Sequence, residues 1–230
     1  MTEFVRFPHT PHLVWLGAGK PRDDKVLTPT EAGDLLKRPV VVEEKLDGAN
    51  LGISLGPKGV LRVQNRGQYL IPPYTGQFSR VVSWLAPRQS ELSEALGDTL
   101  ILFGEWCAAR HSLDYERLPD WLLVFDVFDR AEERFWSTRR RDKLVTTLGL
   151  ASVPRLLEGQ TSVEKLKKLV GEQSSSYRKG PLEGVVVRQE SSEWLESRAK
   201  VVRGNFTQSI TEHWSRSELV WNKVSPESRG

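Results

Sequence analysis

The segment Glu43-Glu44-Lys45-Leu46-Asp47-Gly48-Ala49-Asn50 carries the strongest structural and chemical signal in this sequence. It follows the β-branched residues 40–42 and precedes the apolar residues 51–55, so the Asp-Gly pair predicts a tight turn between two strands. Lys45 then stands at the end of a strand and faces a cavity, where burial or a neighbouring cation makes a lysine nucleophilic. The alternative is a plain hairpin with a solvated lysine.

Five more segments follow along the chain, and each places a carboxylate, a cation or an aromatic side chain in or beside a predicted strand. One such segment is weak evidence of function, whereas six in one order form a specific pattern. The five are Arg66-Gly67, Phe103-Gly104-Glu105-Trp106, Leu123-Val124-Phe125-Asp126-Val127-Phe128, Glu183-Gly184-Val185-Val186-Val187-Arg188 and Arg198-Ala199-Lys200-Val201-Val202-Arg203.

Strands and helices alternate without a regular βαβ rhythm, which predicts an α+β fold with mainly antiparallel sheet. Thr28-Pro29-Thr30-Glu31 and Thr161-Ser162-Val163-Glu164 are capping boxes that open helices. We predict one domain over residues 1–230, with an irregular N-terminal segment, 1–27, and a short C-terminal extension, 207–230. The predicted helices are 28–37, 77–85, 89–96, 137–148 and 161–170, and the predicted strands are 40–42, 51–55, 61–64, 99–106, 121–128, 185–188 and 200–202.

Composition excludes several classes of protein. The 230 residues include 33 basic and 30 acidic side chains, a mild excess that permits binding to a polyanion without requiring it. No run approaches 18 apolar residues and no secretory signal is visible, so we expect no association with membranes. Cys107 is the only cysteine, which excludes an intramolecular disulfide and a cysteine-based zinc site and predicts a reducing, cytoplasmic location.

The six segments resemble the collinear motifs of the covalent nucleotidyltransferase superfamily, and most closely those of the ATP-dependent RNA ligase family. Asn50 follows Lys45 by five residues, as in phage-type RNA ligase 2. Residues 200–206 and 212–216 look like the ends of bacterial RNA-ligase-domain proteins. The resemblance implies a nucleotidyltransferase (adenylyltransferase) fold with two antiparallel β-sheets flanked by helices. Only 30 residues follow Lys200, so no OB domain is expected.

The implied function is that of an ATP-dependent RNA ligase, which joins 3′-OH and 5′-phosphate ends. AMP passes from ATP to a lysine and then to the 5′-phosphate, and it is released when the 3′-hydroxyl attacks. ATP and Mg²⁺, with Mn²⁺ as an alternative metal, are the implied cofactors, and RNA, with DNA as an alternative, is the implied partner. The competing interpretations are an ATP-dependent DNA ligase, a capping-type guanylyltransferase and a non-catalytic nucleic-acid-binding module of the same fold.

The resemblance also implies roles for single residues. Lys45 is the nucleophile, and Lys200 neutralises the α-phosphate. Glu105 and Glu183 would hold the metal, directly or through water, because carboxylate oxygens suit Mg²⁺. Lys45 must be neutral to attack, and the metal, Arg66 and Lys200 are expected to lower its pKa. The alternative for the two glutamates is a pair of exposed carboxylates at strand ends.

Four other residues are expected at the nucleotide or the acceptor strand. Arg66 would contact the ribose or the 5′-phosphate, and Phe125 would stack on adenine. Glu44 would line the adenine pocket, and Asn50 would orient the acceptor or the α-phosphate. Strand alternation puts Phe128 on the opposite face, in the core. The structural alternatives are a surface arginine, a plain core phenylalanine and an asparagine that satisfies turn backbone groups.

Three basic features are less specific. The superfamily's final motif is Lys-x-Lys, but Val202 occupies its second lysine position, and the neighbouring Arg203 should point to the opposite face. Either Lys200 alone contacts the nucleotide phosphate, or a local bulge brings Arg203 round to it. Residues 139–141 are three arginines, expected near the exposed side of a helix, where they could follow a phosphate backbone. The lysines at 165, 167 and 168 predict a solvated helix face, and residues 22–25 a solvated loop.

Overall fold

The computed structural model describes residues 3–19, 21, 25–204, 206 and 219–226. The predicted loop 22–25, apart from Lys25, and the segment 212–216 lie outside these residues. The helices are α1 (Pro29–Leu36), α2 (Val81–Leu85), α3 (Gln89–Leu96), α4 (Thr138–Thr147) and α5 (Val163–Glu172). The strands are β1 (Val40–Lys45), β2 (Ala49–Leu55), β3 (Leu61–Gln64), β4 (Leu100–Trp106), β5 (Leu122–Asp129), β6 (Arg134–Phe135), β7 (Ala151–Ser152), β8 (Arg155–Gly159), β9 (Gly184–Glu190) and β10 (Leu195–Val202).

Two β-sheets form the framework, as the sequence predicts. The first sheet has the antiparallel order β10-β9-β1-β8, and the second has the order β3-β2-β4-β5-β6. The short β7 pairs in parallel with β5, so the second sheet is antiparallel except at this strand. β1 and β2 follow one another in the chain but belong to different sheets. The Asp-Gly turn between them therefore leads from one sheet to the other and does not close a simple hairpin.

Each sheet has its own apolar core. β1, β9 and β10 pack against α1 and α5, where β-branched and leucine side chains such as Val42, Val185 and Leu166 are fully buried. β2, β4 and β5 pack against α2, α3 and α4 around Trp106 and Leu102. Burial of these side chains is the main stabilising contribution to the fold. None of the described helices is long and apolar enough to cross a membrane.

Several predicted boundaries are wrong, for local reasons. The predicted helix 77–85 is a 3₁₀ turn followed by the short α2, because the Gln77 carbonyl accepts a hydrogen bond from Trp106 Nε1 at 2.8 Å instead of a helical amide. Ser162, not Thr161, caps α5 through its hydroxyl. Strands β6, β7 and β8 were not predicted, because they are short and lie at sheet edges where alternation is weak. The Thr28 capping box is confirmed.

The described residues of the N-terminal segment 1–27 form no helix and no extended strand, but they are tied to the first sheet. The Lys200 amide donates to the Pro11 carbonyl at 2.8 Å, and the Leu13 amide donates to the Lys200 carbonyl at 2.8 Å. Phe7, buried at 5% exposure, packs against aromatic residues of the second sheet. Residues 11–13 therefore run alongside β10, and Phe7 reaches the second sheet and lines the space between the sheets.

Candidate active site

A cavity of about 380 Å³ lies between the two sheets, within the size range of small-molecule sites. Its walls come from β1, β9 and β10 on one side and from β2, β4 and β5 on the other. Seven of the eight residues that the sequence predicts for the site line it, and the eighth, Glu183, bonds to one of them. The seven are Glu44, Lys45, Asn50, Arg66, Glu105, Phe125 and Lys200.

Lys45 is the last residue of β1, and its side chain points into the cavity. Its Nζ lies 2.6 Å from Glu183 Oε1, and the side chain is 29% exposed. Burial disfavours the charged ammonium, but the carboxylates of Glu183 and Glu105 outweigh it and raise the pKa of Lys45. The expectation that Arg66 and Lys200 lower this pKa is therefore wrong for the protein on its own, in which the carboxylates dominate.

Glu105 and Glu183 approach Lys45 from different sheets, since Glu105 is on β4 and Glu183 directly precedes β9. Burial raises the pKa of Glu105 to about 7 and that of Glu183 to about 8, although Lys45 opposes both shifts. The Gly48 amide donates to Glu105 Oε1 at 2.9 Å and fixes that carboxyl. Neither glutamate is an exposed strand-end carboxylate.

The pair fits a hard divalent cation. Glu183 Oε2 is buried and accepts no hydrogen bond from the described residues, so one oxygen is left for another ligand. No group of three or more His, Cys, Asp or Glu side chains suited to a metal occurs in the described part of the chain. The protein would therefore supply two carboxylates, and phosphate and water the remaining ligands, which is how Mg²⁺ commonly binds beside phosphates.

The turn after Lys45 is held by hydrogen bonds and by close packing. Asp47 Oδ2 accepts from the Ser112 and Leu113 amides, both at 2.7 Å. A Cβ atom at Gly48 would lie 2.6 Å from the Trp106 carbonyl oxygen. The turn can approach β4 this closely only because residue 48 has no side chain.

Glu44, Asn50 and Arg66 each present an unsatisfied polar atom at the cavity. Glu44 Oε2 accepts from the Ser176 amide at 2.9 Å, while Oε1 is buried. Glu44 Oε1, Asn50 Oδ1 and Arg66 Nε have no hydrogen-bond partner among the described residues. All three side chains line the cavity, so these atoms are available for hydrogen bonds to a ligand. The Asn50 oxygen is not used to satisfy the turn, which argues against that alternative.

Phe125 lies at a β-bulge in β5. Gly104 pairs with Val124 and Phe103 with Asp126, so Phe125 is an extra residue without a partner on β4. The bulge resets the alternation of the strand, so that Phe125 and Phe128 pack around the same aromatic cluster. Phe128 is packed as predicted, but its expected position on the opposite face is wrong.

Residues 200–203 of the final motif contribute one side chain to the cavity, and Arg198 of the same strand also lines it. Lys200 lines it, Val202 is buried, and Arg203 is not part of the wall. The Arg203 amide donates to the Glu183 carbonyl at 3.0 Å, which places this residue beyond the end of β10. Of Lys200 and Arg203, Lys200 is therefore the cation that lines the cavity.

A buried ionic network forms the floor of the cavity and was not predicted. Asp126 bonds to Arg188 at 2.8 Å and also to Arg198, so one carboxylate joins β5 to β9 and β10. Glu43 bonds to Arg141 at 2.6 Å. Strand alternation could have suggested that the charged residues of β9 and β10 face the cavity. It could not have identified their partners, which come from distant segments of the chain.

Arg141 does not lie where the sequence predicts. It was expected near the exposed side of α4, yet its side chain is 1% exposed, whereas that of Arg139 is 78% exposed. Arg141 also donates to the Phe125 carbonyl at 2.8 Å. The Glu43 carboxylate and this carbonyl offset the cost of burying the guanidinium, so Arg141 cannot follow a phosphate backbone. The lysines at 165, 167 and 168 are exposed, as predicted.

The fold is similar to that of solved ligases. A Naegleria gruberi RNA ligase with pyrophosphate shares 18% identity and a TM-score of 0.59, over 78% of this chain and 54% of that one. A mutant of that ligase with ATP and Mn shares 16% identity and a TM-score of 0.60, over 90% of this chain and 62% of that one. An Aquifex aeolicus protein, provisionally an ATP-dependent DNA ligase, shares 22% identity and a TM-score of 0.58, over 87% and 50%.

This chain thus spans between half and two thirds of the length of these proteins. No curated protein sequence matches it significantly. The family model for RNA ligase, in contrast, matches residues 38–202, which include all eight predicted site residues and most of the chain. The chain belongs to the RNA ligase family.

Proposed function

We propose that this protein is an ATP-dependent RNA ligase that joins 3′-OH and 5′-phosphate ends through a lysyl-AMP intermediate on Lys45. One observation carries the proposal. The amine of Lys45 lies 2.6 Å from a buried carboxylate, on the wall of a nucleotide-sized cavity that Lys200 also lines. A nucleophile, an anion-binding cation and two carboxylates are the groups that phosphoryl transfer requires.

In the first step, Lys45 Nζ attacks the α-phosphorus of ATP. A P–N bond forms, the bond from the α-phosphorus to the pyrophosphate oxygen breaks, and pyrophosphate leaves with the electron pair. The ammonium must first lose a proton to solvent, because Glu183, whose Oε1 lies 2.6 Å away, is also a candidate ligand of the cation and cannot hold the cation while it carries that proton.

Glu105 and Glu183 would hold Mg²⁺ or Mn²⁺. Such a cation, when bound, neutralises the charge of the phosphates and of the carboxylates that raise the pKa of Lys45. The residues of the chain do the positioning. Lys200 faces the cavity from β10 and would neutralise the α-phosphate, and Lys45 approaches it from the neighbouring part of the same sheet.

The base and the sugar would occupy the inner part of the cavity. Phe125 would stack on the adenine, since its ring borders the cavity beside Phe7 at a centroid distance of 5.2 Å. Glu44 Oε1, buried and unpaired among the described residues, would accept a hydrogen bond from the exocyclic amine. Guanine carries a carbonyl oxygen at that position, so this contact favours ATP over GTP.

The later steps need an acceptor strand at the mouth of the cavity. The Asn65 side chain accepts from the Gly67 and Gln68 amides at 2.8 and 2.9 Å, and the resulting turn directs Arg66 towards the cavity. Arg66 would bind the 5′-phosphate that receives AMP. Asn50, opposite Glu105 on the neighbouring strand, would orient that phosphate for attack by the 3′-hydroxyl.

Intact-protein mass spectrometry after incubation with Mg²⁺ and either ATP or GTP tests the proposal. We expect a gain of one adenylyl group that is absent in Lys45→Ala. A guanylyl adduct would favour the capping enzyme. If protein shown to be unmodified at the start acquires neither adduct, the autonomous ligase is refuted, and a binding module remains.

A sealing assay then separates the two ligase classes. The substrates are a nicked duplex with RNA at the break and the same duplex with DNA at the break. We expect faster sealing of the RNA break, and preferential sealing of DNA would support the competing DNA ligase. Glu105→Gln is the test variant in this assay, because Glu105 lines the cavity. Glu94→Gln is its matched control, because Glu94 is exposed on α3.

A further inference from the structure

Residues 219–226, here called the C-terminal strap, pack along the loop of residues 107–118. The Asn222 amide donates to the Ala108 carbonyl at 2.9 Å, and the Lys223 amide to the Tyr115 carbonyl at 2.9 Å. The indole ring of Trp221 covers the Arg80 guanidinium at 3.9 Å. The strap thus holds the 107–118 loop by backbone pairing and by side-chain packing.

Asn222 joins the two ends of that loop. Its Oδ1 accepts from the Tyr115 amide at 2.8 Å, and its Nδ2 donates to the Cys107 carbonyl at 2.8 Å and to the Ala109 carbonyl at 3.3 Å. The residue is only 5% exposed, and both polar atoms of its side chain are used. Removing the side chain would leave buried backbone groups unsatisfied at both ends of the loop.

The loop in turn holds the turn that follows Lys45. The Asp47 amide donates to the Tyr115 hydroxyl at 2.8 Å, and Asp47 Oδ2 accepts from the Ser112 and Leu113 amides. Tyr115 is buried at 2% exposure, so its hydroxyl has little freedom to move. A continuous series of hydrogen bonds therefore connects the strap, the loop and the Lys45 turn.

We propose that Asn222 and Tyr115 are positioning residues, through which the C-terminal strap holds Lys45 in the geometry required for attack. The inference rests on the proposed function for its kinetic consequence, whereas its structural part stands without it. Neither residue lines the cavity, so neither contacts ATP directly. A displacement of about 1 Å at a reacting group can slow the chemical step by up to about 100-fold. The support that these residues give to the Lys45 turn can therefore affect the rate of attack.

Amide hydrogen exchange of the full chain without nucleotide tests the structural part. In Asn222→Ala we expect the Ser112 and Leu113 amides to exchange at least ~10-fold faster, while Ile53 in the core of β2 stays protected. Lys223→Ala is the matched control, because this strap side chain is exposed and only its backbone pairs. Unchanged exchange at Ser112 and Leu113 would overturn the inference, and so would an equal loss of protection at Ile53.

Single-turnover transfer of AMP tests the kinetic part with Tyr115→Phe, which removes only the hydroxyl and preserves the packing. We expect transfer at saturating ATP to slow ~10-fold while KM for ATP changes less than ~2-fold. A purely structural role would lower the fraction of protein that reacts without slowing the reacting molecules, and that result would contradict the inference. If the wild-type chain forms no adduct, the proposed function fails, and hydrogen exchange still decides whether the strap supports the turn.

Discussion

Lys45 Nζ and Glu183 Oε1 lie 2.6 Å apart, so the candidate nucleophile is held as an ion pair in the protein without nucleotide. The amine cannot attack while it is protonated, and the carboxylates around it raise its pKa. These carboxylates are also the candidate ligands of the divalent cation. Cation binding and activation of the lysine are therefore linked through one set of charges.

The first prediction concerns the pH dependence of AMP transfer. Burial raises the pKa of Glu105 to about 7 and of Glu183 to about 8, so both become protonated as the pH falls below these values. Protonated carboxyls hold a cation poorly, and Lys45, whose pKa is raised by these carboxylates, stays charged throughout this range until a cation neutralises them. We expect the single-turnover rate to rise between about pH 6 and 9. At a higher Mg²⁺ concentration, this rise should begin at a lower pH. A rate that does not change from pH 6 to 8 would contradict this.

The second prediction concerns stability. The pKa of Glu105 is higher in the folded chain than its ordinary value of 4.5, so the folded state binds more protons between about pH 4.5 and 7. Its contribution to the free energy of unfolding therefore falls as pH rises through this range. Glu105→Gln should abolish this pH-dependent decrease in the free energy of unfolding. The effect of the substitution on the free energy of unfolding should therefore be more favourable at pH 8 than at pH 5, by ~2 kcal/mol. Urea unfolding at both pH values measures it, with Glu94→Gln as the control.

The sequence is sufficient to predict the framework of the fold and the composition of the candidate site. Strands β1, β2, β4, β5 and β9 are recognisable because their β-branched and apolar residues are buried in the two cores. The predicted site residues are brought together because their motifs lie in or beside strands that border the cavity, except Arg66, which follows β3.

Features that depend on pairing between distant segments could not be predicted. The bulge at Phe125 arises from the register of β4 on β5, which alternation within one strand does not reveal. Arg141 is buried because Glu43, 98 residues away in the sequence, neutralises it. The position of Phe7 in the cavity wall likewise depends on an irregular segment with no periodic pattern.

The third prediction tests the floor of the cavity. Asp126 is the shared partner of Arg188 and Arg198, so Asp126→Asn would remove the carboxylate bonded to Arg198 and one of those around Arg188, which keeps Glu190 and Glu43. We expect the free energy of unfolding to fall by about 3 kcal/mol, as measured by urea unfolding. Glu132→Gln, on an exposed turn, should change it by less than ~0.5 kcal/mol. Equal stability of the two variants would show that the network contributes little.

The fourth prediction separates Phe125 from Phe128. Both contact one aromatic cluster, but only Phe125 lines the cavity. Phe125→Leu should raise KM for ATP about 5-fold, because a flat ring stacks on a base and a leucine does not. Phe128→Leu removes a comparable ring from the cluster and should leave KM unchanged. The kinetics of AMP transfer at varied ATP concentration measure both, and equal effects would assign Phe125 to packing alone.

The fifth prediction compares two glycines. A Cβ atom at Gly48 would lie 2.6 Å from the Trp106 carbonyl oxygen and 3.1 Å from Glu105 Cγ, whereas a Cβ atom at Gly33 in α1 would meet nothing within 4 Å. Gly48→Ala should therefore push the Lys45 turn away from β4 and destabilise the fold by ~2 kcal/mol. Gly33→Ala should stabilise it by ~0.5–1 kcal/mol, because alanine restricts the unfolded chain and favours helix.

Because the Gly48 amide also holds Glu105, AMP transfer in Gly48→Ala should fall by more than the loss of folded protein explains. The amount of adduct formed at long times reports the folded fraction, and the rate of its formation reports the geometry of the turn. A Gly48→Ala variant that forms adduct at the wild-type rate would show that β4 tolerates the displacement. The turn would then position Lys45 through Asp47 and Tyr115 rather than through its contact with β4.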